Sequence, residues 1–168
     1  MKKIIHIIDN LNEWIGRIVS CSIVVLTLLV VIEVIMRYVF RKPTIWSFEV
    51  TTQLFGFYFM TLAGYSLLHG AHVGVDVVSE TLTQKKQAFL QILSYVLFFF
   101  PFCLVLLYQG TVYATKSWAI KETSWSVFAP PLYPIKTVIP ISAFLLLLQG
   151  VVIFYKEIQK YKKEKKNV

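Results

Sequence analysis

The sequence predicts an all-α integral membrane protein with four transmembrane helices, an N-terminal amphipathic helix and a short interfacial helix between spans 2 and 3. Three observations lead there. Only 15% of the residues are charged while 57% are hydrophobic, whereas a soluble domain carries about a quarter charged residues. The mean hydropathy of +0.65 reflects apolar runs as long as the roughly 20 helical residues that cross a bilayer. Between those runs the charges gather at few points, most densely in EVIMRYVFRKPTIWSFE, residues 33–49.

The elements follow in order. Ile4, Ile8, Leu11, Ile15 and Ile18 recur at helical spacing, with Lys3, His6, Asn10, Glu13 and Arg17 largely off that stripe. This is the pattern of a helix lying in the membrane interface before it turns into the first span. Lys2 and Lys3 imitate the start of a secretion signal. Asp9, Glu13 and Arg17 interrupt the apolar run that such a signal needs, so the first span is expected to stay in the mature protein.

The first span covers about 15–38 and the second about 45–68. The few residues between them, including Pro43, force an antiparallel hairpin. Thr44 or Ser47 is expected to cap the second helix, whose first turn places Glu49 at the positive end of the helix dipole. Residues 69–86 are the most polar internal segment. Val75, Val78 and Leu82 share one helical face there, which predicts the short interfacial helix.

The third span covers about 88–112. Pro101 at its centre cannot bond to the Leu97 carbonyl, so a kink is expected. The link 113–133 carries Tyr113, Trp118, Trp125 and Tyr133, residues that settle at head-group level. The fourth span covers about 134–155, with Pro140 early in it, and residues 156–168 form a basic tail. The whole, 1–168, reads as a single four-helix membrane domain.

The net charge of +8 does not indicate nucleic acid, because six lysines crowd the tail just after an apolar run. Lysines so placed are drawn to anionic lipid head groups. Four spans put both termini on one side. That side collects eleven of the 17 Lys and Arg residues and the other six, so both termini are expected in the cytoplasm. Cys21 and Cys103 lie within apolar runs and read as small buried hydrophobes rather than a disulfide or metal framework.

Glu33 and Arg37 stand four apart near the outer end of the first span. They form either an intrahelical pair, which makes each charge cheaper, or a polar anchor facing another protein. Neither Glu33 nor Glu49 lies at the midplane, and the third and fourth spans carry no central charge, so a proton or substrate path through this chain has no carrier. His69 and His72, with Asp76 four residues on, are too few and too close together for a haem or zinc site. No nucleophile arrangement or phosphate-binding glycine loop occurs. The chain does not read as an enzyme, and no cofactor is expected.

Glu33-x-x-x-Arg37-Tyr38-Val39-Phe40, Pro43-x-x-Trp46-Ser47, Glu49, His72-Val73-x-Val75-Asp76 and Ile139-Pro140 run in order along nearly the whole chain. Together they resemble the small membrane subunit, or DctQ-like small permease, of tripartite ATP-independent periplasmic (TRAP) transporters. The stretch 122–136, from Glu122-Thr123-Ser124-Trp125-Ser126 to Ile135-Lys136, is similar to a subset of that family tied to small organic acids. Phe48 departs from the pattern, since many relatives place a second acid beside Glu49.

The resemblance implies a bacterial inner-membrane scaffold subunit of a sodium-driven importer. Its partners would be a large membrane subunit, carrying the sodium and substrate sites, and a periplasmic binding protein that delivers an organic acid anion. Glu33, Arg37, Arg41, Lys42, Trp46, Glu49, His72 and Asp76 are then the candidates for partner contact. Two other readings remain open at this point. One is a self-sufficient four-helix exporter of the small multidrug type; the other is a membrane anchor for a different inner-membrane complex.

Overall fold

The computed structural model describes residues 2–70 and 84–166. These fold as α1 (Lys2–Ser20), α2 (Ser22–Tyr38), α3 (Ser47–Leu68), α4 (Gln84–Ser94), α5 (Phe100–Ala119) and α6 (Tyr133–Lys166). A π-helical turn over Tyr95–Phe99 joins α4 to α5. The described residues form no strand, only an isolated antiparallel bridge between Thr123 and Pro131. The interfacial helix expected between spans 2 and 3, with His72 and Asp76, lies outside the described residues.

Three stretches are long and apolar enough to cross a membrane: Lys3–Tyr38, Lys86–Ala119 and Tyr133–Lys162. The expected 45–68 span is not among them. α3 occupies its place with 22 residues, about 33 Å of helix, but Thr51, Thr52, Gln53, Thr61 and Ser66 dilute its apolar character. Its position gives the reason. α3 packs against α1, α2 and α6, and it buries Ser47, Thr61, Gly64 and Leu67. A helix held among other helices favours small and polar residues that one facing lipid would not.

The junction before the first span also differs from expectation. The chain stays helical from Lys2 to Ser20, breaks at Cys21, and resumes at Ser22. Cys103 is fully buried beside Leu67 and Leu146, as a small hydrophobe would be. Cys21 instead lies exposed at the break, its Sγ 3.6 Å from the Arg17 carbonyl. At the other end of the chain, α6 does not stop near residue 155 but carries the helix on to Lys166.

Pro101 acts where expected, in a different form. The helix widens into the π turn just before it, and the Phe100 N–H bonds to the Tyr95 carbonyl. An i→i+5 turn is one way a helix absorbs a missing donor. The turn also presents Phe99 to α6, where a Cβ on Gly150 would stand 2.5 Å from the ring Cζ. Gly110 of α5 similarly admits Ile139 and Pro140 of α6.

α1 is more than a two-sided amphipathic helix. Ile4, Ile7, Leu11, Trp14 and Ile18 are exposed, whereas Asn12, Gly16 and Val19 are buried. The expected stripe is therefore split, with Ile8 and Ile15 half-buried beside the protein-facing side. A third strip carries His6, Asn10, Glu13 and Arg17, and Glu13 accepts from Arg17 at 2.8 Å.

The buried side of α1 is held by polar groups. Asn12 Nδ2 donates to Gln149 Oε1 at 2.9 Å, and Gln149 Nε2 donates to Asp9 Oδ1 at 2.9 Å. Lys156 Nζ completes the chain on Asp9 Oδ2 at 2.9 Å. Gly64 of α3 gives Asn12 its room, since any Cβ there would run into Asn12 Oδ1. Gln149 is wholly buried and Asn12 is 2% exposed. These are groups that apolar surroundings tolerate only when their hydrogen bonds are made.

Candidate functional site

The candidate residues that the structure describes lie at the end of the bundle opposite the Asp9–Lys156 tie. α2 ends in a wide turn, with the Val39 and Phe40 N–H groups both reaching the Ile35 carbonyl. Arg41 then adopts φ 53°, and the Lys42 N–H bonds back to the Met36 carbonyl at 2.9 Å. That left-handed position usually holds glycine or asparagine at a helix end. An arginine there carries a strain of about 1 kcal/mol or more, and its side chain, like that of Lys42, is exposed.

Glu33 fastens this turn. Its Oε1 accepts from Arg37 at 3.0 Å, while its Oε2 accepts the Thr44 N–H at 3.3 Å and the Thr44 hydroxyl. The carboxylate is 14% exposed and the Arg37 side chain 55%. Glu33 is therefore the clasp of the α2–α3 hairpin, and Arg37 is the half that faces outward. Thr44, committed to Glu33, does not cap α3, and neither does Ser47. The helix begins after Trp46, which offers no side-chain cap.

Glu49, in the first turn of α3, reaches a second segment at this end of the bundle: its Oε1 accepts from the Ser124 hydroxyl at 2.7 Å. That segment is pinned along its length. Leu132 N–H bonds to the Glu122 carbonyl and Ser124 N–H to the Pro130 carbonyl, each at 2.9 Å. Lys136 Nζ donates to Glu122 Oε2 and lies 4.0 Å from the centre of the Tyr113 ring. The Lys136 ammonium holds the Glu122 carboxyl below the usual carboxylate range. Trp118 Nε1 donates to Thr137 Oγ1 at 2.8 Å and its ring lies against Tyr133.

The result is one surface at this end of the bundle, made from two loops. It exposes Arg41 and Lys42 on the hairpin, and Trp125 and Val127 at the tip of the second loop. Trp46 is at the margin of this surface, 36% exposed. A recess of about 250 Å³ lies beside the hairpin, lined by Glu33, Arg37, Ser47, Phe48 and Thr51 among others. Phe48 is an exposed apolar side chain.

The sequence reading placed Glu33, Arg37, Arg41, Lys42, Trp46 and Glu49 together, and the structure brings all six to this end. It missed Ser124, the partner of Glu49, and the Asp9–Asn12–Gln149–Lys156 tie at the other end. One signal for the tie was present. Gln149 is a lone amide inside the run LLLLQGVVIF, and a lone amide in an apolar helix needs a hydrogen-bonding neighbour. Among the described residues, no three His, Cys, Asp or Glu side chains gather as a metal site would require.

A family model described as "Tripartite ATP-independent periplasmic transporters, DctQ component" matches residues 26–160, from within α2 to near the end of α6. No curated protein matched the chain. With most of its length matched by a family of transporter components rather than enzymes, the chain belongs to the DctQ family of TRAP transporter small membrane subunits.

Proposed function

We propose that this chain is the fixed scaffold of a sodium-driven TRAP importer, bound beside a large membrane subunit and served by a periplasmic binding protein carrying an organic acid anion. The observation that carries this reading is the clasped outer end. Glu33 is spent on holding the hairpin and one oxygen of Glu49 on holding the second loop, while Arg37, Arg41 and Lys42 face outward. The same engagement of Glu33, near the end of its span, disfavours the small multidrug exporter, which needs a free glutamate in mid-membrane.

In this reading α3 is a fourth membrane crossing, the protein sits in the bacterial inner membrane, and both termini are cytoplasmic. The lysine tail then rests against anionic head groups. Uptake of the binding protein's ligand into proteoliposomes tests the function. It is expected to require the sodium gradient, the large subunit and this chain; uptake that proceeds without this chain overturns the scaffold role. Co-purification of the large subunit from native membranes separates this role from anchoring another complex.

Orientation has its own test. Single cysteines at Lys42 and Trp125, with Cys21 and Cys103 replaced, are expected to react with an impermeant maleimide added to intact cells. Lys42 is a better site than Thr44, whose hydroxyl Glu33 needs. A cysteine at Lys160 is expected to stay unlabelled. Labelling at 160 from outside reverses the topology.

The exposed cations give a third expectation. Arg41→Glu and Lys42→Glu are expected to slow uptake several-fold at limiting binding protein, because rim charges chiefly set the encounter rate. The effect shrinks as salt shortens the range of the interaction. Arg41→Gly separates charge from backbone: it relieves the positive φ and removes one cation, so its loss of rate is smaller than that of Arg41→Glu. Unchanged uptake for both reversals at low salt moves the docking site elsewhere.

A further inference from the structure

We propose that the recess between α2 and the start of α3 binds the head group of one membrane phospholipid, with Arg37 and the N-terminus of α3 holding its phosphate and Glu33 receiving a primary ammonium. The inference needs only that α2 crosses a membrane, and it is independent of the transporter reading. Val30, Glu33, Val34, Arg37 and Tyr38 line one wall and fall at helical spacing on a single face of α2. Ser47, Phe48 and Thr51, from the first turns of α3, line the other. The recess of about 250 Å³ is far larger than the ~30 Å³ share of one water. It takes a group of several heavy atoms rather than a bare ion.

Three features of the walls specify a phosphate. The Arg37 side chain is 55% exposed, and its bond to Glu33 uses one N–H of the guanidinium, which leaves others to donate. α3 opens on the recess without a side-chain cap, and the first N–H groups of a helix have no carbonyl in their own helix to bond. Such a helix end favours an anion. Ser47 is the third feature. It is 3% exposed, it lines the recess, and its hydroxyl makes no hydrogen bond among the described residues. A buried hydroxyl is costly to leave unbonded, and a phosphate oxygen accepts from it. Glu49, the acid of the same first turn, does not line the recess and bonds to Ser124.

The rest of the recess specifies a lipid. Glu33 and Arg37 present an anion beside a cation, the complement of a head group in which a short link joins a phosphate to an ammonium. A primary ammonium can donate to the Glu33 carboxylate; a quaternary one cannot. Val30, Val34 and Phe48 are exposed apolar side chains. Val30 lies seven residues from Arg37, about 10 Å along α2 and away from the end of the span at Tyr38. A free phosphate ion leaves that apolar length uncovered, whereas the acyl chain of a lipid follows it. α2 ends at Tyr38 and α3 starts at Ser47, which sets Arg37 and Ser47 at the level of the head groups.

Native mass spectrometry of the full chain in detergent tests the site. After delipidation, lipids with the same acyl chains are added back in equal amounts. Phosphatidylethanolamine is expected to be retained as a single copy, and phosphatidylcholine and phosphatidylglycerol about threefold to tenfold less. Phosphatidylcholine cannot donate from its ammonium, and phosphatidylglycerol has no cation for Glu33. Glycerophosphoethanolamine, the same head group without acyl chains, is expected not to compete at the same concentration. Equal retention of phosphatidylglycerol reduces the site to a general attraction for anionic lipid, and effective competition by glycerophosphoethanolamine makes it a site for a soluble ligand. Either result overturns the proposal.

Variants locate the site. Ser47→Ala is expected to lower retention of phosphatidylethanolamine about threefold and Arg37→Gln about tenfold. Lys116→Gln removes an exposed cation of α5 outside the recess and is expected to leave retention unchanged. Arg37→Gln also takes a partner from Glu33, so Ser47→Ala is the cleaner change. Its thermal midpoint without lipid is expected to equal that of the unsubstituted chain, and its rise on adding phosphatidylethanolamine to be smaller. Retention by Ser47→Ala and Arg37→Gln equal to that of Lys116→Gln overturns the site. Loss of the lipid when the large subunit binds also overturns it, and gives the recess to a protein contact instead.

Discussion

Gly16→Leu is expected to detach α1 from α3 and to give the largest loss of stability of any single change considered. A Cβ at residue 16 would stand 2.6 Å from Tyr65 Cβ and would overlap the start of its ring. Tyr65 cannot simply turn aside, because the clash begins at its first side-chain carbon and its ring already lies against His69, with centroids 4.5 Å apart. The helices must separate instead. Overpacking of this kind costs about 1–3 kcal/mol, and here it also pulls Asn12 away from Gln149. The measurement is the thermal midpoint of the purified chain in detergent, with Leu11→Ala on the exposed face as the control. A midpoint for Gly16→Leu equal to that of the control refutes the close contact.

Gln149→Leu is the second large effect, and its cause is different. The substitution keeps the volume roughly constant but removes the acceptor for Asn12 and a donor to Asp9. Leaving buried polar groups unpaired costs about 1–3 kcal/mol. The double variant Asn12→Leu, Gln149→Leu removes one orphan together with its former partner. It is therefore expected to be less destabilised than the sum of the two single changes, with a coupling of about 1 kcal/mol. Strict additivity would mean that the two amides do not interact. Since Asn12 and Gln149 are neutral, added salt is expected to leave the coupling unchanged, in contrast to the docking effect of Arg41 and Lys42.

The parts of the fold that follow local rules were legible in the sequence. Long apolar runs predicted helices, Pro43 marked the hairpin, and Pro101 marked an irregularity that took the form of a π turn. The charges of 33–49 gather at one end of the bundle, opposite the Asp9–Lys156 tie. What escaped was which side of each helix meets protein. In water that side is apolar and the other polar, so periodicity reveals it; in a membrane both can be apolar, and the stripe of α1 divided between them. α3 was legible as the helix of 45–68, but it was not legible that one side of it, with Ser47, Thr61, Gly64 and Leu67, is buried among other helices. Pairings such as Glu33 with Thr44, Glu49 with Ser124 and Asn12 with Gln149 depend on chain reversals, and no local pattern encodes them.

The tie between α1 and α6 has a consequence for how the protein is made. Asn12 and Gln149 are separated by 137 positions, so nearly the whole chain is synthesised between one partner and the other. At about 5–20 residues per second, Asp9 and Asn12 wait on the order of ten seconds without their final hydrogen bonds. During that time the polar side of the first helix, opposite its exposed Ile4, Ile7, Leu11, Trp14 and Ile18 strip, is uncovered. Arrival of the last helix then closes the bundle, which makes Gln149 a late checkpoint. A nascent chain truncated before it leaves Asn12 and Asp9 unmatched, the kind of polar exposure by which membrane quality control tells an unfinished protein from a finished one.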